Sequence, residues 1–194
     1  MEPIILASSS LRRQEILKQL NIPFTIVPDY SPEVIEENLS PKEIAEKLAI
    51  KKIKNAINLT KDSIMPWFLG ADTLITMDGK IFGKPIDRND AYQMIKSFAG
   101  RTHTVITAIA LWSPKTQELS TSITENQVTF APMTEKEIEY FLDTGEWQGV
   151  AGGYRIQEHG AFFIKEIKGS YSSIVGLPIR ELYAILSEQG YSFE

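Results

Sequence analysis

The feature that most constrains the fold is a regular alternation of short β-rich apolar runs with amphipathic helical segments. Strand patterns are predicted at residues 3–7, 24–27, on both sides of Asp78-Gly79, at 101–112, 127–132 and 161–167, and helix patterns at 10–20, 41–58, 88–99, 134–144 and 178–188. Strands that alternate with helices indicate an α/β protein. The pattern therefore predicts a mixed twisted sheet flanked by helices, without internal repeats.

Short signals mark the ends of these elements. Ser40 with Glu43, and Thr134 with Glu137, have the spacing of capping boxes, so each pair predicts a helix start. Asp78-Gly79 is a hairpin signal between two short strands. These signals fit one continuous domain over residues 1–194 with no linker inside it.

Composition excludes several classes of protein. The chain has 194 residues, 43% of them hydrophobic, a formal charge of -5 and no cysteine. The acidic balance argues against a general nucleic-acid binder, and the lack of cysteine excludes disulfides and thiolate metal sites. With no secretion signal and no apolar run of about 18 residues, we expect a cytoplasmic protein without a membrane partner.

The segment "LASSSLRR" at residues 6–13 leads from a predicted strand into a predicted helix. Helix N-termini present unpaired amide groups and the positive end of the dipole, which suits an anion. Arg12 and Arg13 could extend such a site because guanidinium groups match phosphate oxygens. The alternative is a solvated arginine pair that follows ordinary N-cap serines.

Two acidic residues are candidates for binding a cation or orienting a water. Asp72 in "GADT" follows an apolar run, and a carboxylate at the carboxyl end of a strand is where α/β proteins place catalytic groups. Glu33 in a polar loop could supply a second oxygen ligand for Mg²⁺. The alternatives are a turn aspartate bonded to local backbone and a solvated loop charge.

Further candidates are less specific. Lys84 in "GKIFGKP" lies on a stiff loop that could hold its ammonium group against a phosphate, although the segment is not a Walker motif. The alternative is an ordinary solvated loop lysine. Gln157 could read a nucleobase edge, or could be an ordinary strand amide. Lys52 lies on a predicted helix among Lys47, Lys51 and Lys54, and their spacing selects none of them.

Taken in order, these segments resemble the Maf-type nucleoside triphosphate pyrophosphatases. The resemblance rests on "LASSSLRR" at 6–13, an acid in the next loop, "LAIKK" at 48–52, "GADT" at 70–73, "GKP" at 83–85, "GRTHTVITA" at 100–108, "YRIQEHGAFFI" at 154–164 and "VGLP" at 175–178. Leu11 and Arg155 depart from the usual proline and glycine of that family. The resemblance implies the fold of inosine-triphosphatase-like enzymes, with two lobes around a cleft.

The resemblance also implies a role for each matching residue. It implies catalytic roles for Asp72, Lys52 and Lys84, and metal binding by Glu33 and Asp72 with Mg²⁺ or Mn²⁺ as cofactor. It implies substrate binding by a further set of residues: Ser8, Ser10, Arg12, Arg13, Thr73 and Gln157.

The function implied is hydrolysis of dTTP or UTP, with modified or noncanonical nucleotides as further candidate substrates, to the nucleoside monophosphate and pyrophosphate. Such a reaction removes unwanted nucleotides from the cellular pool. Within the family, the "GADT", "RTHTVIT" and "IQ" blocks resemble the dTTP/UTP branch. Two alternatives remain open: a nucleotide-binding regulator of septum formation without turnover, and a pyrophosphatase of the methylated-GTP branch. A homodimer and a small-molecule nucleotide partner are family-level expectations.

Overall fold

The structure is a computed structural model that describes residues 1–29, 31, 38–60 and 66–194. The strands are β1 (Ile4–Leu6), β2 (Phe24–Ile26), β3 (Trp67–Met77), β4 (Lys80–Phe82), β5 (Thr102–Trp112), β6 (Leu119–Phe130) and β7 (Ile164–Lys168). The helices are α1 (Leu11–Gln19), α2 (Pro41–Leu59), α3 (Arg88–Phe98), α4 (Glu135–Asp143), α5 (Tyr171–Val175) and α6 (Ile179–Glu188). The predicted α/β class is confirmed.

The strands form one mixed sheet in the order β2-β1-β3-β5-β6-β7, and β4 pairs with β3 off that path. Strand β1 is parallel to both β2 and β3, with Leu6 opposite Leu69. Strand β4 is antiparallel to β3, with Ile75 opposite Phe82, and β7 is antiparallel to β6. Strand β3 therefore has parallel pairing at its start and antiparallel pairing at its end.

The predicted helix starts and the predicted hairpin are confirmed. At Ser40 and Thr134 both reciprocal hydrogen bonds of a capping box are present. Asp78 and Gly79 both have positive φ, 51° and 75°, between β3 and β4. Local hydrogen bonding and backbone freedom thus define these boundaries.

Several elements differ from their predicted extents. The strand before Asp78 is not short: β3 is 11 residues long and runs through Asp72 to Met77, where Ile75–Met77 pair with β4. Strand β6 begins at Leu119 rather than at residue 127, because its threonine-rich start lies beside β5, with the Thr124 hydroxyl donating to the Thr107 carbonyl. Residues 161–163 belong to a 3₁₀ turn instead of a strand, and the short helix α5 was not predicted.

The chain divides into two compact units. Unit 1 comprises Met1–Asp72, Thr107–Thr124 and Gly176–Glu194, and unit 2 comprises Thr73–Ile106 and Glu125–Val175. The core of unit 1 includes Leu6, Ile53, Trp67, Phe68 and Ile109, each at most 1% exposed. The core of unit 2 includes Ile95, Phe98, Val128, Phe130 and Phe141. Among the described residues, no helix is both long enough and apolar enough to span a membrane.

Candidate active site

Asp72 lies in the middle of β3, not at the end of a strand as the sequence suggested. The pairing with β1 ends at Leu69, whose carbonyl accepts a hydrogen bond from the Ala7 amide. Pairing with β4 begins only at Ile75. The carboxylate therefore lies just beyond the carboxyl end of β1, which is the edge of a parallel sheet where ligands bind. The alternative of a turn aspartate is excluded.

Asp72 and Lys52 form a buried ion pair inside unit 1. The Lys52 ammonium lies 2.5 Å from Asp72 Oδ1 and 3.5 Å from the Ala71 carbonyl, and the two residues are only 9% and 4% exposed. Asp72 Oδ2 is buried and has no hydrogen-bond partner within the described residues. Because a buried carboxylate oxygen normally has a partner, this atom is open to a cation, a water or a substrate proton.

Arg13 and Ser8 form a second polar group, on the segment that follows β1. Arg13 Nη1 donates to the Ser8 hydroxyl at 3.0 Å, and its Nε donates to the Gly176 carbonyl at 2.9 Å. Both side chains belong to buried residues. The alternative of a solvated arginine pair is therefore wrong for Arg13.

Helix α1 begins without a side-chain cap. Ser10 occupies the N-cap position, but its side chain makes no capping hydrogen bond. Its backbone amide donates instead to the Ser8 hydroxyl at 3.2 Å. Arg12 is half-buried, so the two arginines diverge as consecutive helical residues should. The Ser10 side chain therefore does not occupy the N-terminus of α1, which suits the predicted anion site.

Unit 2 contains the other candidates. Thr73 follows Asp72 on β3 and is half-buried, whereas Lys84 and Gln157 are exposed. The Gly83 carbonyl beside Lys84 accepts a hydrogen bond from the Gly152 amide at 2.9 Å, so the loop is fixed to the glycine-rich turn. Gln157 lies in a turn, which excludes the alternative of an ordinary strand amide.

Glu33, the second predicted metal ligand, lies outside the described residues. In the part of the chain that is described, no group of three or more His, Asp or Glu side chains could hold a metal ion. Of the two predicted metal ligands, Asp72 lies within the described residues, and its unpartnered Oδ2 suits a hard cation.

One contact of this site could not be predicted. The Gly176 carbonyl accepts from Arg13 across 163 residues of sequence. The segment "VGLP" supports the family resemblance, but a backbone carbonyl leaves no trace in residue identity. Only the fold reveals that this segment holds the guanidinium in place.

Known proteins are similar to this chain over nearly its whole length. The model of the Maf-like protein family matches residues 3–189. A dTTP/UTP pyrophosphatase of Thermosipho africanus is 41% identical, with 96% of this chain and 93% of that protein covered. One from Carboxydothermus hydrogenoformans is 40% identical, covering 97% and 99%, and one from Hydrogenovibrio crunogenus is 39% identical, covering 98% of each.

One solved structure has a similar fold. The Ham1 protein of Staphylococcus aureus aligns with 97% of this chain and all of its own, at a TM-score of 0.53 and 12% identity. At that identity the likeness concerns the fold alone. The family match covers nearly the whole chain, and the relatives align end to end. The chain therefore belongs to the Maf-like protein family.

Proposed function

We propose that this protein hydrolyses dTTP or UTP to the nucleoside monophosphate and pyrophosphate. The observation that carries the proposal is the buried Lys52–Asp72 pair, which leaves Asp72 Oδ2 unpartnered at the carboxyl end of β1. The names of the full-length relatives supply the substrate class.

The reaction assigns a task to each group. Water adds to the α phosphorus, the bond from that phosphorus to the bridging oxygen breaks, and pyrophosphate leaves with the electron pair. Asp72 would accept the proton of the water through Oδ2, while Lys52 holds the carboxylate by Oδ1. Arg13 and the amide end of α1 would bind phosphate oxygens as charge develops on them, and Lys84 would provide a further cation.

We also propose a divalent cation, Mg²⁺ or Mn²⁺, held by Asp72 and Glu33 together with the triphosphate. The unpartnered Oδ2 fits this role, because a carboxylate oxygen has lone pairs for both a cation and a water. The cation would neutralise negative charge on the triphosphate, which Mg²⁺ typically does with one or two carboxylates and substrate oxygens.

Arg12, Thr73 and Gln157 are proposed to select the nucleobase and sugar, and Ser8 and Ser10 to shape the phosphate site. The alternatives are turnover of methylated GTP and nucleotide binding without turnover. The second is disfavoured because pure binding of an anion does not call for a buried carboxylate with an unsatisfied oxygen.

The test is pyrophosphate release from dTTP, UTP, CTP, methylated GTP, ITP and the common nucleoside triphosphates, with Mg²⁺, with Mn²⁺ or with chelator. We expect metal-dependent turnover of dTTP and UTP, reduced at least about 100-fold by Asp72→Asn. A reduction of less than about tenfold would contradict a central role for this carboxylate.

A matched control is Asp78→Asn at the end of the same strand. Asp78 is exposed and pairs with Arg101, so we expect the Asp78→Asn variant to keep wild-type activity. Turnover confined to a purine would overturn the base assignment but keep the mechanism. Binding without turnover of any nucleotide would favour the regulator.

Two further expectations concern the protein as a whole. We propose a homodimer in the cytoplasm, as the family resemblance implies. Light scattering on the purified protein tests the dimer, since a monomer mass at assay concentration would contradict it.

A further inference from the structure

Glu146 is a buried carboxylate, and its side-chain hydrogen bonds to the described residues go to one turn, residues 155–160. Oε1 accepts a hydrogen bond from the His159 amide at 3.0 Å and also contacts His159 Nδ1, and Oε2 accepts from the Gly160 amide at 3.3 Å. The Glu146 side chain is only 9% exposed. Burying a carboxylate is costly unless donors surround it, so this group holds the turn firmly.

Glu146 is itself held in place by the end of α4. Its backbone amide donates to the Thr144 hydroxyl at 3.2 Å, and the neighbouring Trp147 indole donates to the Leu142 carbonyl at 3.1 Å. The carboxylate therefore connects the turn to the short loop that follows α4, and the Trp147 bond to Leu142 anchors that loop on the helix. A site supported from a regular element is held more accurately than one supported by loops alone.

The turn is also closed on itself. A Cβ at Gly160 would lie 2.5 Å from the Arg155 carbonyl, so only glycine fits there. The Arg155 guanidinium donates to Glu158 Oε2 at 3.2 Å and to the Gln148 carbonyl at 3.3 Å. The second bond ties the turn to the same loop that carries Glu146.

Gln157 lies between these fixed points. Ile156, the preceding residue, is buried in the core of unit 2, whereas Gln157 is exposed. Ile156 is packed before it, and two residues after it the His159 amide is bound by Glu146. Its backbone position therefore depends on the turn that the Glu146 carboxylate holds.

We propose that Glu146 is a positioning residue for nucleobase selection, which acts by holding the turn that presents Gln157. Arg155 supports the same turn through Gln148. This inference rests on the proposed function, in which Gln157 reads the base. A side chain that forms directional hydrogen bonds to a base discriminates only when it is held at the right place.

The test compares UTP with CTP, which differ at the base edge. For Glu146→Ala we expect the ratio of kcat/KM for UTP over CTP to fall at least about fivefold, through a higher KM for UTP, with kcat within about threefold of wild type. For Glu146→Gln the ratio should lie between those of wild type and Glu146→Ala, because the glutamine amide oxygen can still accept one backbone hydrogen bond. Glu166→Ala, at an exposed position on β7, is the matched control and should keep the ratio.

A double-mutant cycle separates positioning from a general effect on folding. If Glu146 acts through Gln157, then Glu146→Ala should change the ratio little once Gln157 is already alanine. Inhibition by inorganic triphosphate, which has no base, should be the same in wild type and Glu146→Ala. Should Glu146→Ala fail to fold, Arg155→Ala and Glu146→Gln provide the same comparison.

Equal discrimination in a folded Glu146→Ala protein, or additive effects in the cycle, would overturn the inference. The ratio of Kd values for UTP and CTP is measured in parallel. A wild-type protein that binds but never hydrolyses would refute the proposed function, while the Kd ratios still decide the role of Glu146. A wild-type protein that hydrolyses UTP and CTP equally would refute the inference and keep the pyrophosphatase.

Discussion

The main-chain carbonyl of Ala49 on α2 lies so close to Gly70 on β3 that a methyl group at residue 70 would overlap it. The absence of a side chain at residue 70 lets the helix rest directly on the strand. Lys52 follows Ala49 by three residues on α2, and Asp72 follows Gly70 by two on β3. Since side chains three apart on a helix and two apart on a strand share a face, this close approach aligns the ion pair.

We predict that Gly70→Ala lowers both stability and turnover. The added methyl group must push α2 away from β3, and overpacking of this kind costs about 1–3 kcal/mol of unfolding free energy. The same displacement would separate Lys52 from Asp72 and lower kcat. Denaturant unfolding and pyrophosphate release measure the two effects. Gly83→Ala is the control for stability, because a Cβ there meets nothing within 4 Å; equal unfolding free energies for the two variants would contradict the prediction.

Replacing Lys52 with methionine should destabilise the protein by about 3–5 kcal/mol, because it leaves the Asp72 carboxylate buried without its partner. The double variant Lys52→Met, Asp72→Leu should recover part of that loss, since no buried charge remains. Urea unfolding at neutral pH measures both.

The exposed pair of Arg101 and Asp78 provides the contrast. Its side chains are 49% and 63% exposed, so Arg101→Met should cost less than about 1 kcal/mol. Comparable losses for Lys52→Met and Arg101→Met would mean that burial of the Lys52–Asp72 pair has no energetic consequence.

Arg13→Lys should weaken nucleotide binding at least about tenfold although it keeps the charge. Lysine has no fork of donors, so it cannot reach the Ser8 hydroxyl and the Gly176 carbonyl together and still face a phosphate. Titration calorimetry with UTP measures the change. Arg180→Lys, at an exposed position on α6, is the matched control, and a loss of equal size there would show that the effect is not specific to Arg13.

We predict that stability falls with acid partly through His103. This residue is 1% exposed on β5, stacks on Phe98 and forms a 2.7 Å hydrogen bond with the Tyr154 hydroxyl. Burial lowers the pKa of His103 from 6.5 to about 4. Between these values the unfolded chain binds a proton that the folded chain does not, so stability is complete above about pH 6.5 and is lost progressively towards pH 4, by up to about 3 kcal/mol.

The comparison that isolates this effect is His103→Gln. Glutamine keeps a hydrogen bond to Tyr154 but has no proton to gain, so its unfolding free energy should fall less steeply between pH 6.5 and pH 4. The carboxylates titrate equally in both proteins and cancel from the difference. Parallel curves for the two proteins would show that His103 makes no contribution to the acid sensitivity.

Much of the local structure was predictable because its causes are local. The capping boxes at Ser40 and Thr134 form with residues three positions away, and the turn at Asp78-Gly79 needs only two residues that tolerate positive φ. The extents of β3 and β6 were less predictable. A strand continues as long as a neighbour pairs with it, and that neighbour is set by the tertiary fold.

For the candidate site, the sequence by itself determined which chemical groups are present: the arginines after β1, Asp72 in "GADT" and Gln157. The spacing of the lysines on α2 did not distinguish Lys52 from the others, and only the resemblance of "LAIKK" to the family selected it. The packing of α2 on Gly70 decided that Lys52 meets Asp72. The fold likewise brought the Gly176 carbonyl to Arg13 and Glu146 to the turn of Gln157. Such contacts join residues far apart in the chain, so their existence depends on how the elements pack and not on any local pattern.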